Sequence, residues 1–261
     1  MTSSNSKLWT RDQVKLAFHL YCQLPFGKLH SRNPEIIELA GLIGRTPSAL
    51  AYKLVNLASL DPSITGSGRV GMKNSSKLDQ EVWDEFNANW EQLAVECEQQ
   101  RQLLNTTKAM PNLVVADEID ADFSGETRAV IIQQRIKQQF FRKAVLSSYR
   151  GRCCMTGVSD NVLLVASHIV PWSQDKANRL NPRNGLCLST LHDRAFDQGL
   201  LTLDSNYRVL LSESLLSTGN LFLQTAFWGL QDQPIELPER FLPSPEFVQW
   251  HREHRFQGVP T

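Results

Sequence analysis

VLLVASHIVPW (162–172) sets one histidine, His168, at the end of an apolar run, three residues before Pro171 and four before Trp172. A short run rich in Val, Leu and Ile and closed by a proline reads as a strand. A lone strand histidine is most often a hydrogen-bonded core residue, so its neighbours in the sequence decide its role. Downstream, RLNPRNGLCLSTLHDRAFDQGL (179–200) gives a turn at Asn184-Gly185, a second short strand in NGLCL, and a helix in STLHDRAFDQG with Gly199 past its end. The order strand, strand, helix places His168 on the first strand, Asn184 at the turn before the second, and His192 on the helix. Folded back, the three can meet at one metal ion. LLTLDSNYRVLLSES (200–214) then reads as a hairpin.

The ordered set Ser167-His168-Ile169-Val170-Pro171, Asn184-Gly185-Leu186 and His192 with Phe196-Asp197 resembles the HNH endonucleases of the ββα-metal type. The resemblance covers roughly residues 140 to 214, and Cys153-Cys154-Met155-Thr156-Gly157 is similar to HNH proteins of bacterial restriction systems. It implies metal-dependent hydrolysis of phosphodiester bonds with 5′-phosphate products. The chemistry needs an activated water, which a neutral imidazole can supply, and a counter-charge at the leaving oxygen, which a divalent ion can supply. On that pattern His168 is the general base. Asn184 holds the geometry near the base or touches the metal, and His192 binds the ion through a ring nitrogen. Asp197 completes the coordination, while Asp193 is read as pointing nearly the opposite way. The implied ion is Mg²⁺ or Mn²⁺.

Two departures stand out. Ser167 precedes the base where many HNH enzymes carry an acidic residue or a histidine, which leaves the second protein ligand open. Many relatives also fasten the motif with two CxxC pairs around zinc; Cys153, Cys154 and Cys187 form no such pairs, so no structural zinc is expected.

Before this region, NPEIIELAGLIG (33–44) and RTPSALAYKLVNLASLDP (45–62) read as two short helices joined by a tight turn, a helix-turn-helix pattern. In such a pair the second helix carries the side chains that meet DNA. The candidates are Arg45, Thr46, Ser48, Tyr52, Lys53 and Asn56, with Arg69, Lys73 and Lys77 on a following Gly/Ser-rich wing. From Lys28 to Lys77 seven basic residues face three acids, a local positive field in a chain of zero net charge. LDQEVWDEFNANWEQLAVECEQQRQLL (78–104) reads as one longer amphipathic helix, and RAVIIQQRIKQQFFRKAVLSSYR (128–150) as another.

The expected architecture is therefore α+β. A helical, winged-helix-like domain over 1–105 is followed by a linker over 106–127 and an HNH nuclease domain over 128–261. The expected partner is double-stranded DNA, with methylated cytosine as one candidate target. One site of this kind cuts one strand, so a homodimer is the economical arrangement for breaking a duplex. The competing classes are a DNA-binding regulator that keeps the HNH fold without turnover and an RNA-processing or toxin-like nuclease. The 261 residues are 41% hydrophobic and 21% charged, and no apolar run reaches membrane-span length. MTSSNSKLWTRDQ lacks an apolar signal core, so a cytoplasmic location is expected. Five cysteines of irregular spacing are expected to be reduced. In the C-terminal WHREHRF (250–256), His251 and His254 are read as part of a solvated basic helix face.

Overall fold

The structure is a computed structural model that describes residues 8–66, 75–108 and 125–258. The chain forms two compact units, 1–140 and 141–261, each with its own core.

In the first unit, α1 (Arg11–Gln23) opens with a reciprocal capping box between Thr10 and Gln13. Asn33 caps α2 (Pro34–Leu42) and Thr46 caps α3 (Pro47–Ala58), each with proline in the first helical turn, where its missing N–H is not needed. The turn between them passes through Gly44 at φ +69°, a left-handed conformation that glycine adopts without steric penalty. Two short helices joined by a tight turn are thus present, followed by the short α4 (Pro62–Gly66). The wing expected after it falls on residues 67–74, outside the described residues, and so do Arg69 and Lys73. Most of the linker expected over 106–127 also lies outside them.

The single helix expected over 78–104 is instead two, α5 (Lys77–Ala88) and α6 (Trp90–Lys108). Asn89 separates them: its backbone leaves helical geometry and its Oδ1 accepts the N–H of Gln92, an N-cap for α6. The bend lets α1 pack on α3, α5 and α6. Phe18 sits at the centre of that packing, with ring centroids 4.6 Å from Phe86, 5.0 Å from Trp83 and 6.0 Å from Trp90. α7 (Gly125–Ser148) begins in this unit, which ends at Phe140.

In the second unit, β1 (Leu164–His168) pairs antiparallel with β2 (Gly185–Ser189), His168 opposite Gly185. β2 is buried along its whole length, which accounts for its unbroken apolar run. α8 (Thr190–Asp197) follows at once and packs on both strands, completing a ββα unit. β3 (Leu201–Leu203) and β4 (Val209–Leu211) form the expected second hairpin. The short α9 (Glu213–Leu216) and α10 (Leu221–Phe227) come next, and α11 (Pro245–His254) packs on β3.

α11 corrects one expectation: His251 is buried rather than solvated. Its ring lies flat on Phe196 at 3.7 Å, Nε2 donates to the Phe196 carbonyl, and Nδ1 accepts from the Thr202 hydroxyl. Burial lowers its pKa to about 4. His254 stays exposed and stacks on Trp250. All five cysteines are free and buried. Among the described residues no helix is long and apolar enough to cross a membrane.

Candidate active site

β1 ends at His168, and α7 supplies the surface beneath it. The Phe141 ring stacks on the imidazole at 3.8 Å and 9°, and Trp172 meets it edge-on at 5.5 Å. Phe141 can come so close because position 185 is glycine. A Cβ there would lie 2.3 Å from Val145 and 3.0 Å from Phe141, so a side chain would push α7 off the hairpin. Arg142 ties the other end of β1 to α7 by donating to the carbonyls of Leu164 and Asn161.

The imidazole's protonation follows from its partner. His168 Nε2 lies 2.9 Å from the Arg179 carbonyl, which can only accept, so Nε2 carries the proton and Nδ1 keeps its lone pair. Burial lowers the His168 pKa, partly offset by that hydrogen bond, and the ring is neutral at pH 7. Arg179 is itself fixed, donating to the Trp172 carbonyl with its guanidinium 5.2 Å above the Trp172 ring.

Asn184 is fully buried and holds the turn that follows His168. Its Oδ1 accepts from Val170 N–H at 2.8 Å, its Nδ2 donates to the carbonyls of Val170 and Asn178, and its own carbonyl accepts from Ile169 N–H. All of these bonds are to backbone, so Asn184 sets the path of residues 169 and 170.

His192 does not join His168. It is buried against Phe227, its Nε2 donates to the Ala226 carbonyl, and its Nδ1 accepts from the Ser189 hydroxyl at 2.7 Å. Both ring nitrogens have a hydrogen-bond partner. His168, Asn184 and His192 thus have separate hydrogen-bond partners, and the structure shows no contact among the described residues that joins the three.

The carboxylate the structure brings to β1 is that of Asp193. Asp193 and Asp197 are four residues apart on α8 and therefore on one helix face, contrary to the expectation that Asp193 points away. Asp193 lies beside Ser167, whose hydroxyl favours the ionised carboxylate. That hydroxyl is nevertheless buried and outside hydrogen-bond geometry with any partner. Burial raises the pKa of both aspartates; the charge of Asp193 raises Asp197 further, while Arg194 lowers both and Arg255 lowers Asp197. Asp197 is exposed on its outer side, so its desolvation is partial. The sequence signal that could have found Asp193 was its i, i+4 spacing to Asp197.

Among the described residues no three of His, Cys, Asp and Glu are grouped to hold an ion. Mg²⁺ does not need three: it is usually held by one or two carboxylates, with waters and substrate phosphates completing its shell. Asp193, with Asp197 on the same helix face and Ser167 beside it, offers oxygen donors of the kind a hard cation takes.

On the helix-turn-helix the candidate DNA contacts divide. Ser48 is exposed, and so are Tyr52 (59%) and the Lys77 side chain (93%). Thr46 uses its hydroxyl as the α3 cap. Arg45 donates to Gln13 and to the Leu8 carbonyl and lies over Trp9. Asn56 is half-buried, its Oδ1 without a hydrogen-bond partner. Lys53 corrects its expectation: it is 6% exposed and pairs with the fully buried Asp79 at 2.8 Å. Helix phase alone made Lys53 a surface residue; a partner 26 positions away draws it inward.

Residues 153–204 match the family described as HNH endonuclease, a span that holds the whole ββα unit. The match supports an HNH nuclease in this part of the chain. A search of curated proteins found no match.

Proposed function

We propose that this protein is a metal-dependent DNA endonuclease of the HNH class, acting in restriction. The observation that carries this is a neutral, ring-stacked His168 at the end of β1 inside the span that matches the HNH endonuclease family. Successive strand residues face opposite ways. Ser167 lies by the Asp193 carboxylate of α8, and His168 lies on Phe141 of α7. In phosphoryl transfer the attacking and leaving oxygens are roughly in line. At this strand end His168 would serve the attacking water, and Asp193, beside Ser167, would be the carboxylate available to a cation at the leaving oxygen.

His168 takes the proton of the attacking water at Nδ1, with Nε2–H anchored on the Arg179 carbonyl. Phe141 and Trp172 hold the ring plane. Asn184 fixes the backbone after the base so that the ring cannot swing with the loop. Asp193 and Asp197, with the Ser167 hydroxyl, would hold Mg²⁺ or Mn²⁺; when bound, the ion supplies positive charge for the leaving 3′ oxygen. The raised carboxylate pKa values support this assignment, because a cation there relieves both the desolvation and the mutual repulsion.

DNA reading is assigned to the first unit, supported by the helix-turn-helix pair and the exposed Ser48, Tyr52 and Lys77. Methylated cytosine is the target examined first, and a homodimer is the arrangement for duplex breakage. The test is cleavage of methylated and unmethylated copies of one DNA by wild-type and His168→Ala protein in Mg²⁺, Mn²⁺ or EDTA. Metal-dependent cutting that vanishes in the variant supports the nuclease. Binding without cutting would favour a regulator, preference for RNA an RNA nuclease, and equal rates on both DNAs would remove the methylation reading.

A further inference from the structure

We infer that a cavity on the outer face of α3 holds one unpaired nucleobase of the DNA substrate. The inference rests on the DNA-nuclease reading above and adds a substrate subsite in the first unit.

The cavity has a volume of about 260 Å³ and lies between α3 and the segment leading into α2. Leu29, Ala51 and Val55 give it an apolar wall. Tyr52 stands beside that wall with 59% of its surface in water. A ring so placed contributes little to the core and offers a free face for stacking. Ser31 and Ser48 bring hydroxyls that can both donate and accept, and His30 adds an imidazole. No carboxylate lines the cavity.

These features choose among occupants. The volume falls just below the ~300–1,000 Å³ of pockets for drug-sized ligands, which suits one ring system rather than a peptide segment. An apolar wall with an aromatic face and hydroxyls is the chemistry that holds a base, whose faces stack and whose edge hydrogen-bonds. Charge makes the same choice. Lys28 and Arg32, both exposed, flank the lining residues 29–31 in sequence and suit the phosphates on either side of a base. Of the acids on the following helix, Glu38 is already paired with Arg101. A base inside a duplex cannot enter such a cavity, so the occupant is a nucleotide out of the stack. Extrusion costs least where pairing is already weak.

The test uses full-length His168→Ala protein in EDTA, so that binding is read without cleavage. Three DNAs are compared by fluorescence anisotropy: a paired duplex, the same duplex with one unpaired nucleotide, and that bulge with its base removed. 2-Aminopurine at the unpaired position reports stacking. The expected result is binding tighter by about 10-fold or more to the unpaired nucleotide, with the preference gone when the base is absent. Tyr52→Ala should weaken that complex by about 5- to 150-fold, the range of a base–aromatic stack, and abolish the 2-aminopurine response. Tyr52→Phe, which keeps the ring, should retain both, and thermal melts would confirm that each variant folds. Equal binding of all three DNAs, unchanged by Tyr52→Ala, would overturn the base site and leave the nuclease standing. A wild-type protein that neither binds nor cuts any DNA would overturn the nuclease reading as well.

Discussion

Each unit draws an aspartate at least partly out of water, Asp79 in the first and Asp193 in the second, with opposite results. In the first, Asp79 is fully buried and its charge is met by Lys53 at 2.8 Å and by the Ser76 N–H. That cluster is closed and structural. In the second, Asp193 and Asp197 share a helix face and repel each other, and Asp193 lies next to a buried Ser167 hydroxyl with no hydrogen-bond partner. That cluster is open, and a cation would complete it. The two differ in closure: Asp79 is paired with the buried Lys53, whereas no ion pair to Asp193 or Asp197 occurs among the described residues.

The comparison breaks first at Lys53. Removing one partner of a buried ion pair leaves an uncompensated charge, so Lys53→Ala should lower unfolding free energy by about 3–5 kcal/mol, measured by denaturant titration. A pure DNA contact would instead lower affinity and leave stability intact. Next in size is the open cluster. Asp193→Asn should cut DNA cleavage by about 10²–10³-fold, comparable to losing one charge-stabilising donor from an active site. The same change should raise stability without metal. A carboxylate whose folded pKa is raised destabilises the folded state increasingly as pH rises through that pKa, and asparagine removes the penalty.

His251 offers a control on a depressed pKa with no catalytic part. Its folded value of about 4 lies below the ordinary ~6.5, so its contribution is complete above pH 6.5 and is lost as pH falls toward 4. The loss reaches roughly 3 kcal/mol, visible as a falling melting temperature. The smallest effect concerns Phe141. The depressed pKa of His168 places the acid limb of kcat/KM below the ordinary histidine value, and Phe141→Ala, by admitting water, should move that limb upward. A loss of rate with an unmoved limb would limit Phe141 to packing.

The order of the ββα unit was legible because each element carries its own signal: a β-rich run into His168, an Asn-Gly turn, and a helix closed by Gly199. His168 and Asn184 fall where that order puts them. Which side chain of α8 meets β1 was harder to read, since the i, i+4 spacing pairs Asp193 with Asp197 but does not show which helix face turns to β1. His192 has the residue type of a ligand, yet it faces Ala226 and Phe227; Asp193, one position on, faces Ser167. Lys53 was misread for a related reason, because its partner lies 26 positions downstream and leaves no local trace. The break at Asn89 was readable only from one cap residue inside a continuous amphipathic pattern.

The central claim is that the ion is held by the carboxylates of α8 and not by its histidine. Calorimetric titration of Mn²⁺ into His168→Ala protein, with Asp193→Asn or His192→Gln added, tests it without any cleavage. The account predicts that binding heat is lost with Asp193→Asn and kept with His192→Gln. Binding that survives Asp193→Asn and fails with a folded His192→Gln protein would contradict it.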